Sequence, residues 1–210
     1  MALVGKKFPN LEIDAITEMG DTYRLNVLKE AVDNKKKVLL FWYPKDFTFV
    51  CPTELHAFQA ALAEFEKRNT IVIGASCDTP EVHFAWLNTS KDNGGIEGVT
   101  YPLLADTHRL LAQELDILDA QYNVDEDDQM NYSGGNVTFR ATYLIDEEGK
   151  VFHESVNDMP LGRNVNEYLR LIDAYTHVQQ HGEVCPANWE EGKEAMTADR
   201  KGVAEYLSKN

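Results

Sequence analysis

No apolar run in the 210-residue chain approaches the roughly 20 residues needed to cross a bilayer, which excludes a protein built on membrane-spanning helices. The start, Met-Ala-Leu-Val-Gly-Lys-Lys, lacks the apolar core of a secretion signal, so a cytoplasmic location is expected. Positive charge is scarce: 20 basic against 35 acidic residues give a net charge of -15, which argues against nucleic-acid phosphates and anionic membranes as partners. Glycine-rich phosphate loops, aromatic-basic patches, internal repeats and low-complexity segments are missing, and nucleotide binding has no support. Cysteine is scarce too. Cys51, Cys77 and Cys185 form neither a disulfide framework nor a Cys-x-x-Cys pair, so in a reducing compartment any disulfide would be transient and catalytic. The six histidines show no metal-ligand spacing, and the acidic stretch Asp125 to Asp128 lacks the glycine and terminal glutamate of an EF-hand loop at the required offsets. No metal is expected.

What is present is a chain 43% hydrophobic, enough for one sizeable core. We read one domain over residues 1–182 and an arm over 183–210. Leu11-Glu12-Ile13 and Tyr23-Arg24-Leu25, separated by Met19-Gly20-Asp21, predict an N-terminal hairpin. Val38 to Tyr43 is apolar without alternation, as a central strand covered on both faces must be. Leu55, Phe58, Leu62 and Phe65 recur at helical spacing, Ile71 to Ser76 predicts a second buried strand, and Thr79-Pro80-Glu81 opens another helix. Strand and helix in alternation imply a parallel core. Leu110, Leu111 and Leu115 predict a further helix, and Tyr122 to Gly135 reads as the longest loop, a solvated insertion. Val137 to Ile145 and Lys150 to Val156, around Asp146-Glu147-Glu148-Gly149, predict an antiparallel pair. Val165, Tyr168, Leu169, Ile172 and Tyr175 give a long amphipathic helix stopped at Gly182. From Glu183 onward periodicity is lost, except for a short helix near Val203 to Leu207.

The chemistry is expected where Val38 to Tyr43 gives way, through a short loop, to the helix opened by Cys51-Pro52-Thr53-Glu54. Pro52 suits the first helical position, which makes Cys51 the cap residue. A thiol there faces backbone N–H groups and the positive end of the helix dipole, and both favour the reactive thiolate. Thr48 can bring a hydroxyl back to the same pocket, while Pro44 stiffens the loop and covers one side. The pattern Pro44-x-x-x-Thr48-x-x-Cys51, completed by Val-Cys-Pro-Thr-Glu, resembles the active-site signature of the peroxiredoxins, thiol peroxidases on a thioredoxin-like fold.

A free cysteine has a pKa of about 8.5, so a thiolate nucleophile needs a cation nearby. Phe139-Arg140-Ala141-Thr142-Tyr143 places one charge on an otherwise buried strand, where burial calls for a partner. The resemblance implies that Arg140 is the catalytic arginine. Glu54 is read as a partner of Arg140, and it is equally placed to favour its own helix N-terminus. His-Gly-Glu-Val-Cys185-Pro-Ala-Asn-Trp resembles the resolving segment of the typical two-cysteine peroxiredoxins and of the alkyl hydroperoxide reductase C proteins. That resemblance spans nearly the whole chain. It implies reduction of hydrogen peroxide and organic hydroperoxides through a Cys51 sulfenic acid, then an intersubunit disulfide between Cys51 and Cys185. It further implies a homodimer, assembled into a decameric ring, a thioredoxin or flavoprotein disulfide reductase as electron donor, and no cofactor.

The sequence departs from the family at three points, one of them the acidic insertion before Gly134, which lengthens the usual loop. Where members sensitive to overoxidation carry Gly-Gly-Leu-Gly and a terminal Tyr-Phe pair, this chain reads Gly94-Gly95-Ile96-Glu97-Gly98 and Tyr206-Leu207. Two other classes compete: a chaperone or redox relay that would keep holdase activity after Cys51→Ser, and a cysteine hydrolase that would need a histidine at Cys51, with His56 nearest in sequence. Cys77, without converging partners, is read as structural.

Overall fold

The computed structural model describes residues 2–209. The chain divides into two compact units between Arg163 and Asn164. Among the described residues of the first, nine strands form two sheets, and the larger, of seven strands, follows the order β2-β1-β5-β4-β3-β8-β9. Its centre is parallel: β3 (Lys37–Trp42) pairs with β4 (Thr70–Ser76), and β4 with β5 (Leu103–Ala105). β8 (Arg140–Ile145) runs antiparallel to β3 and to β9 (Val151–Asn157). The predicted N-terminal hairpin is β1 (Ile13–Ile16) and β2 (Tyr23–Leu25), which extends the sheet beyond β5. This is the expected thioredoxin-like mixed sheet.

All six residues of β3 are buried, because both faces are covered. Val38, Leu40 and Trp42 join a core cluster with Ala31 of α1 (Val27–Asn34) and Leu111 of α5 (Leu110–Glu114). On the opposite face Phe41 stacks on Phe58 of α2 (Cys51–Ala60) at 4.1 Å between ring centroids, and Phe58 meets Phe65 of α3 (Leu62–Lys67). α4 (Pro80–Leu87) begins, as expected, behind the cap Thr79, whose hydroxyl accepts from Val82 N.

Three expectations need correction. α1 went unseen, although Asn26 caps it by accepting from Lys29 N. The single helix expected after Cys51 is two, because Ala61 (φ -94°, ψ 1°) leaves helical geometry. The expected loop from Tyr122 to Gly135 is a hairpin of its own, β6 (Leu118–Val124) with β7 (Met130–Thr138), and the strand expected from Val137 is interrupted at Phe139, whose N–H turns to Ile117 O.

In the second unit α6 (Val165–His181) is the expected long helix. It is capped by Asn164 and closed by Gly182 in the left-handed region, which glycine enters at little cost. An irregular segment carrying Cys185 leads to α7 (Arg200–Lys209). Among the described residues no helix is long and apolar enough to cross a membrane.

Candidate active site

Tyr43 extends β3 by one bond, N–H to Ala75 O, and the chain then leaves the sheet at the buried Pro44. The loop turns back at Phe47, held at φ 53°, a region costly for a bulky side chain and found where surrounding contacts over-determine the backbone. Asp46 supplies those contacts. Its N–H donates to Asp78 Oδ2 at 2.9 Å, Oδ1 accepts from the Tyr43 hydroxyl at 2.9 Å, and Oδ2 lies 2.7 Å from His83 Nδ1. Burial works against charge on His83, yet the hydrogen bond and negative charge of Asp46 prevail and hold it above the usual imidazole value.

The loop delivers Cys51 to the first turn of α2. Val50, not Cys51, is the cap: its carbonyl accepts from Thr53 N and Glu54 N, so helical bonding starts one residue earlier than expected and Cys51 stands at the first helical position. Its sulfur still lies at the positive end of the helix. Cys51 is 1% exposed. Two donors reach Sγ: Thr48 Oγ1 at 3.0 Å and Arg140 Nη1 at 3.4 Å. The Thr48 hydroxyl also lies 2.8 Å from Lys45 O. It has one proton, so it donates to Lys45 O while the sulfur is protonated and to sulfur once the sulfur is ionised.

Arg140, the first residue of β8, is fixed on its other edge by Nε donating to Met159 O at 2.6 Å. Its Nη1 also bonds Glu54 Oε2 at 2.7 Å, which brings Glu54 into the site as expected. Glu54 has a second partner that sequence reading missed. Arg163 grips the carboxylate with a planar fork, Nε to Oε1 and Nη2 to Oε2, both at 2.8 Å, while its own backbone N–H adds 2.9 Å to Oε1. Arg163 is held in turn by Ala141 O, Thr142 Oγ1 and the face of Phe41, whose centroid is 5.1 Å from Cζ. Thr48, Cys51, Glu54, Arg140 and Arg163 therefore form one constellation around a buried sulfur, with Pro44 at the foot of its loop. Counting an ionised Cys51, its charges sum to zero.

His56, which a hydrolase would need at the sulfur, instead bonds Gly95 O at 3.1 Å. Burial, reinforced by Asp106, pushes the Cys77 thiol up to about 12, which makes it inert near neutral pH. Cys185, in the second unit, lies 3.6 Å from Ala174 O; burial raises its thiol above the usual range against the pull of the Arg170 charge. Among the described residues no group of three or more His, Cys, Asp or Glu is placed to hold a metal ion.

A profile of the AhpC/TSA family matches residues 4–154, and one described as the C-terminal domain of 1-Cys peroxiredoxin matches residues 174–209. The chain belongs to the AhpC/TSA family, the peroxiredoxins. It is similar over 208 residues, at 40% identity, to alkyl hydroperoxide reductase C of Helicobacter pylori, covering 99% of this chain and 98% of that one. It is 39% identical over 209 residues to peroxiredoxin-1 of Gekko japonicus, covering 100% and 97%. Among solved structures, the reduced 2-Cys peroxiredoxin of Plasmodium vivax superposes with a TM-score of 0.87 at 38% identity, covering 99% of this chain and 100% of that one. AhpC of Enterococcus faecalis gives 0.72 at 33%, covering 89% and 100%. As a peroxiredoxin, the chain is a thiol-dependent peroxidase, an oxidoreductase acting on peroxides.

Proposed function

We propose that Cys51 is the peroxidatic nucleophile, Cys185 the resolving thiol, and Thr48, Arg140 and Glu54 the groups that prepare the first step. The observation that carries this is the pair of donors on one buried sulfur at the start of α2, Thr48 Oγ1 at 3.0 Å and Arg140 Nη1 at 3.4 Å. The thiolate attacks one oxygen of hydrogen peroxide or an organic hydroperoxide, the O–O bond breaks, and the departing hydroxide or alkoxide takes a proton. Arg140 stabilises negative charge as it moves from sulfur to that leaving oxygen. Cys51 is left as a sulfenic acid, and Cys185 of a second copy attacks its sulfur, expelling water and forming the disulfide. Because Cys51 is buried, the loop and first turn of α2 must open for this second step.

An external dithiol protein, a thioredoxin or a flavoprotein disulfide reductase, returns two electrons and two protons. The active unit is a homodimer, five of which close a decameric ring. Residues 1–182 act as the peroxidase domain and 183–210 as the arm, in a reducing cytoplasm where the disulfide stays transient. No metal or organic cofactor enters the cycle.

On a non-reducing gel, peroxide is expected to convert the reduced protein to a covalent dimer, and Cys51→Ser or Cys185→Ser to abolish the doubly bridged species. A wild type that stays a monomer band overturns the proposal.

A further inference from the structure

The acidic insertion that the peroxidase chemistry does not use is a built element. β6 and β7 pair antiparallel with Tyr122 opposite Tyr132 and Val124 opposite Met130. Residues two apart share a face of a strand, so these four side chains form one apolar strip. The tyrosine rings lie 6.4 Å apart. Gln121, Asn123, Asn131 and Ser133 occupy the other face. All four apolar side chains are between 59% and 79% exposed.

The turn is fixed by Asp125, whose Oδ1 accepts from Asp127 N and Gln129 N and whose Oδ2 accepts from Asn131 Nδ2. That leaves Glu126, Asp127 and Asp128 exposed at the tip, just beyond the strip. The base is shaped by a bulge: Asp119 Oδ2 takes Gly135 N at 3.0 Å, and Gly134 (φ +90°) sits where any Cβ would lie 2.4 Å from Asp119 O. β7 then ends at Thr138, whose hydroxyl donates to Tyr43 O at 3.1 Å, and Arg140 follows two residues on. The finger, about 20 Å long at ~3.3 Å per residue, thus springs from the wall of the Cys51 site.

We infer that this hairpin is the docking surface for the dithiol protein that re-reduces the enzyme, and that this donor offers an apolar patch rimmed by lysine and arginine. The inference rests on the two-cysteine cycle proposed above. The strip is four side chains, a small patch beside the ~800 Å² per partner that a standard stable interface buries, which suits a donor that must bind and leave each turn. Paired with the same hairpin of a second copy, Glu126, Asp127 and Asp128 at the tip would meet their own like charges. A basic rim meets that tip and is steered to it. Once docked, a donor thiolate attacks one sulfur of the Cys51 to Cys185 disulfide to give a mixed disulfide, which the second donor thiol displaces. The donor leaves as a disulfide, and both enzyme sulfurs leave as thiols.

Turnover is measured with a thioredoxin system and with a flavoprotein disulfide reductase, at low and high salt, on the wild type and two variants. Tyr122→Ser with Tyr132→Ser is expected to raise the KM for the donor protein about tenfold or more. Glu126→Gln with Asp127→Asn and Asp128→Asn is expected to raise it at low salt and to flatten its salt dependence. In both variants oxidation by peroxide and re-reduction by dithiothreitol keep wild-type rates. An unchanged donor KM in both variants overturns the inference, and so does slowed reduction by dithiothreitol, which marks the hairpin as merely structural. A wild type that dithiothreitol reduces but neither donor does overturns it too. A wild type that peroxide leaves unoxidised overturns instead the cycle beneath it.

Discussion

Replacing Arg163 with methionine removes a side chain that does not touch the reacting sulfur, yet the site's charge count makes it part of the reaction. With Cys51 ionised, sulfur and Glu54 contribute two negative charges, and Arg140 and Arg163 two positive. Without Arg163 the ionised site carries a net charge of -1 in a place where Glu54 and both arginines are at most 4% exposed at their side chains. Glu54 then holds Arg140 alone, and Arg140 is divided between a full carboxylate and the sulfur. A charge-assisted contact of this kind is worth about 1.5–3 kcal/mol, or about 10- to 100-fold in rate. The second-order rate constant for peroxide, followed by stopped-flow fluorescence at neutral pH, is therefore expected to fall by that factor. Thermal unfolding should show a loss of about 3 kcal/mol, because a buried carboxylate loses its bidentate partner. Arg163→Lys keeps the charge and loses the fork, so it should fall between. A methionine variant with lowered stability but a wild-type peroxide rate constant would refute the coupling of Arg163 to the sulfur.

Thr48→Val, which keeps the shape and removes the hydroxyl, is expected to slow peroxide attack about 10- to 100-fold, whereas Thr48→Ser stays within a few-fold; equal rates for the two variants would remove Thr48 from the step. Cys185 is raised by burial and drawn down by Arg170, so rapid-quench disulfide formation should quicken as the pH climbs beyond the ordinary thiol range, and Arg170→Gln should slow it at neutral pH. A rate of resolution flat in pH would contradict this. His83→Leu strands Asp46 beneath the loop and should cost about 3 kcal/mol in denaturant unfolding. Since the folded value of His83 is raised, its contribution is whole below about 6.5 and fades as the pH rises through the raised value, so the gap between variant and wild type should narrow upward from there. A gap that widens would reverse the assignment.

Local pattern made much of this legible. An unbroken apolar run required a strand covered twice, a proline beside a cysteine marked a helix start, and a lone arginine in an apolar strand demanded a partner. Arg163 escaped because Pro160-Leu161-Gly162-Arg163-Asn164 has no periodicity and sits over a hundred positions from the glutamate it grips. A signal existed: Glu54 faces the core beside Leu55 and Phe58, and one arginine already shared with a sulfur is too little for a buried carboxylate. The β6–β7 hairpin was obscured by its acidic tip, although Tyr122 and Val124, then Met130 and Tyr132, alternate as strand residues do. The cap was misplaced by one residue because proline is tolerated at the second helical position as well as the first, and only the carbonyl of Val50 decides between them.

The most direct measurement locates the first oxidation. In Cys185→Ser, one equivalent of peroxide followed by dimedone and peptide mass spectrometry should place the label on Cys51, fully in the parent and far more slowly when Arg140→Met is added. Label on Cys77, or an Arg140→Met protein that oxidises as fast as its parent, would contradict a sulfur activated at the helix start by that guanidinium.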